Sequence, residues 1–248
     1  AFGFSISGVG DLNGDKFGDF GIGSTSGNVY LFFGKSSFTQ SSISSSNADV
    51  TVGISGTVLS SIGTVVTGGK DVNGDNLTDI LIGSYYNAEA YCIYGKSSWT
   101  KGTYFISSFL DGVNGFKMIS GTGLGYGIAI VDDANGDAYS DILVSQPYNS
   151  GSAFLAFGRS VPHCKTWLKI NCTKCNNGFA FSPSECIKCE TGTWSLGSTS
   201  PCLPCSNCIS CSTTQGCWNC SGGFYLASGS CKQCPDLQWS PGGTSSQC

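Results

Sequence analysis

Asp11, Asp15 and Asp19 stand in the run DLNGDKFGD, Asp71, Asp75 and Asp79 in DVNGDNLTD, and Asp133, Asp137 and Asp141 in DANGDAYSD. The shared pattern is Asp-x-Asn-Gly-Asp-x-x-x-Asp, and its third position (Asn13, Asn73, Asn135) adds an amide oxygen. Carboxylate and amide oxygens at alternate positions are hard donors, which suit Ca2+ far better than a transition metal. Glycine at the fourth position lets the chain turn sharply. The copies start 60 and 62 residues apart, so each loop belongs to a repeating unit. The expected cofactor is therefore Ca2+, at three sites.

Charge accounting points the same way. The chain carries 16 acidic residues and a formal net charge of −4, and the three loops hold nine of those acids. Without cations each loop crowds three like charges together. Three doubly charged ions would bring −4 to +2, so the acidic balance reflects metal sites and says little about a basic partner. No basic cluster for nucleic acid is visible, and the longest apolar stretches are strand-length, too short to span a membrane.

The loops are not EF-hands. That loop needs glycine at its sixth position and a bidentate Glu at its twelfth; here Ile22, Ile82 and Val144 stand at the twelfth. Short apolar runs surround each loop. DFGIGS (19–24), DILIGS (79–84) and DILVSQP (141–147) follow directly, and VYLFFGK (29–35), AYCIYGK (90–96) and AFLAFGR (153–159) come next. FGFSISGVG, SIGTVVTGG and LGYGIAIVD precede the loops. Each unit reads as strand, loop, strand, turn, strand, then a longer connection holding a fourth strand. Repeats of about 60 residues built of short strands are the pattern of propeller blades.

In these loops and strands the chain resembles the FG-GAP repeats of the integrin alpha-subunit β-propeller. Phe2-Gly3 opens the first repeat in that manner, and a degenerate Gly-Ala-Pro element lies at Gly23-Ser24-Thr25, Gly83-Ser84-Tyr85 and Ser145-Gln146-Pro147. The resemblance covers residues 1–160, as repeats of about 1–56, 57–119 and 120–160. It implies side-chain ligands at positions one, three, five and nine of each loop. The position-seven carbonyls, of Phe17, Leu77 and Tyr139, would complete the sites. Three blades make a partial propeller with open faces. The expectation is a window on a longer polypeptide, or a ring completed by a neighbouring chain.

Composition changes near Val161. Fourteen of the fifteen cysteines lie in residues 161–248: Cys164, Cys172, Cys175, Cys186, Cys189, Cys202, Cys205, Cys208, Cys211, Cys217, Cys220, Cys231, Cys234 and Cys248. A second repeat, 172–216 and 217–248, is offset by 45 residues. Cys172, Cys175, Gly178, Phe179, Cys186, Cys189 and Trp194 match Cys217, Cys220, Gly223, Phe224, Cys231, Cys234 and Trp239. Zinc and disulfides both suit Cys-x-x-Cys pairs. Calcium loops and the sequons at Asn171 and Asn219 point to an extracellular setting and hence to disulfides. A third sequon, at Asn76, lies inside the second loop. The segment resembles the furin-like cysteine-rich repeats of growth-factor receptors and, more loosely, tumour necrosis factor receptor modules. That implies a small, largely irregular, disulfide-rich rod.

The fold expectation is all-β: three FG-GAP-type blades with Ca2+ loops, then the rod. With the repeats aligned on Gly34, Gly95 and Gly158, Cys92 takes the core-strand position of Leu31 and Leu155, as a small hydrophobe. No catalytic constellation is found: His163 has no nucleophile at an interpretable spacing, and Lys35 and Lys96 sit in no phosphate-binding turn. The functional expectation is an extracellular glycoprotein, non-enzymatic, acting in adhesion or structure. Its partners would be other proteins or copies of itself, as in a fibril or surface coat. The alternatives are a carbohydrate-binding module, with Tyr85, Tyr86 and Tyr148 as candidates, and an accessory domain of a larger secreted hydrolase.

Overall fold

The computed structural model describes residues 1–38, 42–53, 62–148, 151–158, 164–168, 171–175, 178–182, 185–190, 193–212, 216–222, 224–228, 230–235 and 244. Gly223, Trp239, Cys248 and His163 lie outside the described residues, as do the side chains of Cys172, Cys211 and Asn171. The chain divides into two compact units, Ala1–Ile170 and Asn171–Cys248. Both are built from strands.

In the first unit, strands β1 (Phe2–Gly10), β2 (Asp19–Ser24), β3 (Asn28–Phe32) and β4 (Val50–Gly53) form an antiparallel meander. Its successor is built from β5 (Val65–Lys70), β6 (Asp79–Ser84) and β7 (Glu89–Ile93). The chain then leaves that sheet for β8 (Gly102–Phe105) and a single helical turn, α1 (Ile106–Phe109), and returns as β9 (Gly115–Ile119) against β7. A third sheet holds β10 (Ile128–Val131), β11 (Asp141–Gln146) and β12 (Ser152–Ala156), three strands among the described residues. β13 (Cys164–Leu168) closes the unit.

The sequence pattern holds one further element. β8, from the second repeat, adds in parallel to the outer edge of the first blade, pairing Val50 with Gly102 and Gly53 with Phe105. β13 does the same for the second blade, pairing Thr166 with Lys117 and Leu168 with Ile119. The second repeat thus donates a fifth strand to the first blade, and the segment just after the third repeat donates one to the second blade. The added strand pairs the N–H and C=O groups that would otherwise be left open along the preceding edge, and in the first blade it becomes the outermost strand itself. Short, weakly apolar segments such as GTYF carry no alternation strong enough to announce a partner two strands away.

Packing follows the two-residue period of the strands. Leu31, Val29, Val50 and Val52 of the first blade share one apolar core with Ile80, Ile82, Tyr91 and Ile93 of the second. The alternate residues of the second blade, Leu81, Ala90, Cys92 and Met118, are also fully buried. Hence all six residues of β6 are buried, as expected for a sheet covered on both faces. Cys92 pairs across from Leu81 and Phe116. Burial pushes its thiol well above the usual range, so no reactive thiolate forms there.

The second unit begins with β14 (Asn171–Cys175) and continues, among the described residues, as four two-stranded hairpins. These are β15 (Phe179–Ser182) with β16 (Glu185–Lys188), β17 (Thr193–Trp194) with β18 (Leu203–Pro204), β19 (Cys208–Ser212) with β20 (Gly216–Cys220), and β21 (Phe224–Ala227) with β22 (Ser230–Gln233). The 45-residue repeat is visible in the strands. β15 and β16 pair Phe179 with Lys188, and β21 and β22 pair Phe224 with Gln233 in the equivalent register.

Candidate metal centres

The first two loops are aimed by a bulge in the strand that feeds them, whereas the strand feeding the third pairs without a shift. Register shifts fall between Gly8 and Gly10 in β1 and between Gly68 and Lys70 in β5, opposite the last Asp of the loop. A bulge there bends the strand end and turns the loop away from the sheet. The loop then takes two left-handed residues. One is the fourth-position glycine, with φ of 79° at Gly14, 81° at Gly74 and 83° at Gly136. The other is the sixth residue, Lys16, Asn76 or Ala138, at 72°, 66° and 74°. That second turn was not legible in the sequence, since of the three only Asn76 favours the left-handed region.

These turns gather the polar groups in the same way three times. The first Asp accepts through Oδ1 from the N–H of the glycine, at 2.7, 2.6 and 2.6 Å. Its Oδ2 accepts from the sixth residue at 2.8, 2.7 and 2.8 Å. The Asn amide donates to the fifth-position carboxylate at 2.9, 3.0 and 2.8 Å. That carboxylate's other oxygen accepts from the N–H of Phe17, Leu77 or Tyr139 at 2.9, 2.8 and 3.0 Å. The ninth-position Asp accepts from Leu12, Val72 or Ala134 at 2.8, 2.7 and 2.8 Å. Its second oxygen accepts from Gly34, Gly95 or Gly158, just past the third strand, at 2.8, 2.9 and 2.8 Å. One side chain therefore ties loop, second strand and third strand together.

Electrostatics leaves these sites short of positive charge. Asp19, Asp79 and Asp141 are 3%, 0% and 0% exposed. Burial pushes the Asp79 carboxyl up to about 8, with Asp75 and Asp71 adding to the rise and the N–H groups of Gly95 and Val72 opposing it. Asp19 is raised for the same reasons, burial first. Exposed Asp133 is held below the usual range by the backbone N–H groups it accepts, that of Ala138 first. Among the described residues the ion pairs are Lys70 with Asp132 and Lys117 with Glu89 at 2.9 Å, and neither enters a loop. A divalent cation would favour the charged carboxylates and so offset the rise that burial causes, and the all-oxygen donor set fits Ca2+.

Successive loops touch. Thr78 N–H donates to the Asp11 carbonyl at 3.2 Å and its hydroxyl to the Val9 carbonyl at 2.6 Å. Ser140 N–H repeats the first contact on the Asp71 carbonyl at 3.0 Å. The seventh-position side chains serve the loop before their own. Leu77 lies against Gly14 and Tyr139 against Gly74, where an added Cβ would come within 2.4 Å of the ring. Phe17, in the first loop, is 43% exposed. Because Tyr139 belongs to one loop and braces another, filling the third site should favour filling the second. Calorimetric titration should show Asp137→Asn weakening calcium at the remaining sites about fivefold. Tyr139→Ala should keep three sites but lose that coupling; an unchanged affinity in the first variant would refute it.

Other residues singled out by the sequence fall elsewhere. Lys96 is boxed by Trp99, Tyr104 and Phe109, at 4.6, 5.0 and 4.4 Å from the ring centres. Its backbone N–H donates to the Leu12 carbonyl at 2.9 Å, so it anchors the first loop. Asn76 is exposed, but Thr78 of its sequon is tied into the loop contacts. Asn219 lies in β20 with its Oδ1 buried and without a hydrogen-bond partner.

In the second unit Cys175–Cys186, Cys189–Cys202, Cys208–Cys217 and Cys220–Cys231 are disulfides. Cys164, Cys205 and Cys234 are disulfide-bonded as well. The two halves of Cys186-x-x-Cys189 therefore bond in opposite directions along the chain, and no four-thiolate zinc set is left there. Cys208, Cys217 and Cys231 bring sulfurs within 4.8 Å of one another, yet these are oxidised and offer no thiolate.

Stacked blades with an oxygen-rich loop at the first turn of each, followed by a disulfide-rich unit, define an all-β repeat protein of modular build. No protein family model matches the chain. Over 94 residues it is 39% identical to integrin alpha-E of Mus musculus, a match covering 34% of this chain and 8% of that relative. The match supports a relation to FG-GAP repeats. The chain spans only a small part of that relative's length.

Proposed function

We propose that the chain is a calcium-stabilised, extracellular, adhesion-type structural protein that works through protein–protein contacts. The observation that carries this reading is the threefold repetition of one loop geometry around a buried ninth-position carboxylate, with neither ion pair of the described residues entering a loop. The partial likeness to an integrin alpha subunit supports it, as do the disulfides, which persist in oxidising compartments. In each loop the oxygens of the first, third, fifth and ninth residues, with the seventh carbonyl, would hold the ion. The ion supplies the positive charge. The protein's own part is to pin the first hairpin of each blade, since the ninth Asp reaches the third strand through Gly34, Gly95 or Gly158. The second unit would serve as a furin-like spacer. Asn76, Asn171 and Asn219 are the glycan acceptors this setting offers.

Chelation tests the metal. At a Kd of about 0.1–1 mM, typical of extracellular modules, calcium in hundredfold excess adds about 2.7 kcal/mol per site. Scanning calorimetry should show EDTA lowering the Tm of unit 1 by well over 5 °C and excess calcium restoring it. A transition indifferent to chelator would sink the reading.

Assembly into a fibre or coat is a second reading, favoured by the outer face of the first blade. Ile6, 71% exposed, stands across from Ile22 there beside half-buried Phe20 and Tyr30, above a layer of buried Phe32 and Ile22, with Phe20 and Phe32 stacked at 5.0 Å. The second blade covers both its faces with neighbours, and the first blade offers the same kind of surface. Sedimentation should show concentration-dependent association that Ile6→Asp abolishes; a monomer at all concentrations would count against it.

A further inference from the structure

The hairpin ends farthest from the metal loops carry an unusual surface. β6 and β11 start at the last Asp of their loops, so the turns after Ser84 and Gln146 lie at the opposite end of each blade. Tyr85 and Tyr86 come from the first turn, Tyr148 from the second, and Tyr126 from the segment entering β10. The structure brings the four together. Ring centres are 4.3 Å apart for Tyr85 and Tyr86, 5.4 Å for Tyr85 and Tyr126, and 6.2 Å for Tyr126 and Tyr148. Tyr86, Tyr126 and Tyr148 are 74%, 54% and 49% exposed. Tyr126 had no signal in the sequence, because it stands outside the turns that carry the others.

The rings are seated. Tyr148 lies flat on the backbone at Gly123, where φ is 86° and a Cβ would sit 2.2 Å from the ring. Any other residue there would lift Tyr148 out of the group. Segments 84–88, 120–127 and 145–148, which make this surface, contain no Asp, Glu, Lys or Arg. Their polar groups are hydroxyls and amides, such as Ser120, which bonds Gln146 at 3.0 Å. The Tyr85 phenol is pushed up to about 12, first by its hydrogen bond to Tyr86.

We infer that this four-tyrosine surface binds a neutral oligosaccharide. A sugar ring has apolar C–H faces that stack on aromatic rings and a hydroxyl edge that bonds to uncharged amides and hydroxyls. An anionic glycan would need Lys or Arg, and none is present. A protein partner would need about 800 Å2 of matching surface, with an apolar centre and a charged rim. Here the three segments carry no charge, and Glu89, the residue that follows the first of them, is paired with Lys117 at 2.9 Å. Successive ring centres a few ångströms apart suit consecutive sugar units along a chain. The inference is independent of the calcium reading, since the two sites lie at opposite strand ends.

The test uses the full calcium-loaded chain on an array of neutral gluco-, manno- and galacto-oligosaccharides, with sialylated and sulfated glycans beside them. Binding is expected to the neutral set alone. Tyr86→Ala and Tyr126→Ala should each weaken it about tenfold, or 1.4 kcal/mol, with Tm and calcium binding unchanged. Tyr86→Phe should keep most of the affinity, because the ring face does the stacking. If Tyr126→Ala disturbs the fold, Tyr86 decides the matter, being the most exposed of the four. A blank array, a preference for anionic glycans, or neutral binding that ignores both alanine variants overturns the proposal. So does a protein partner that alone responds to them.

Discussion

Asp79→Ala is expected to destabilise the first unit more than any other single loop substitution. The side chain accepts hydrogen bonds from Val72 and Gly95 at 2.7 and 2.9 Å in a place with no solvent access. Removing it strands two buried N–H donors, each costing roughly 1–3 kcal/mol. Part of that is returned in calcium-free protein, because the buried carboxylate is itself unfavourable there, as its raised pKa shows. A net loss of about 2 kcal/mol without calcium is therefore expected. With calcium the gap widens by roughly a further 2–3 kcal/mol, because the variant forfeits the stabilisation of one filled site. Asp75→Asn separates the two effects. Asp75 is exposed and holds no strand in place, so this variant should match the wild type in EDTA and fall behind only when calcium is added. Urea denaturation with and without calcium measures both. If Asp79→Ala retains the full calcium increment, the ninth position is not a ligand and its role is confined to the hairpin.

Asp79 also shows where sequence reasoning succeeded and where it stopped. The alternation of carboxylates, the glycine turn and the apolar run starting at the last Asp placed β2, β6 and β11 to within a residue, because loop chemistry and strand period are local properties. The link from Asp79 to Gly95 is not local. It spans 16 residues and depends on the third strand returning antiparallel beside the second. The fifth strands, β8 and β13, were hidden for a like reason: GTYF and CKTWL are short and pair with sheets of the preceding repeat. The bracing of one loop by the next was likewise invisible. Leu77 and Tyr139 stood out only for their position-seven carbonyls, and the partner that explains their side chains is a glycine 63 or 65 residues upstream. The tyrosine surface is the same case, assembled from three segments separated in sequence.

Reducing the disulfides should unfold the second unit and leave the first standing, the converse of what chelation does. The difference follows from what each unit buries. Unit 1 packs Val, Leu, Ile and Tyr from two sheets into one core. Among the described residues of unit 2 the buried apolar side chains are Cys175, Cys189, Cys217, Cys220 and Trp194. Four of those five are half of a disulfide. The core is thus made largely of the cross-links, and breaking them removes core and constraint together. The four bridges close spans of 11, 13, 9 and 11 residues, and loops of that size contribute about 3 kcal/mol each when closed. Their sum is comparable to the whole stability of a small domain, about 5–15 kcal/mol. Hydrogen exchange read peptide by peptide separates the units. Dithiothreitol should erase protection in residues 171–248 and spare β2, β3, β6 and β7, whereas EDTA should loosen the loops and first hairpins of unit 1 and spare 171–248. Protection that survives reduction in the cysteine-rich hairpins would mean that an apolar core holds them. Loss there on chelation would mean that calcium, and not sulfur, secures both halves of the chain.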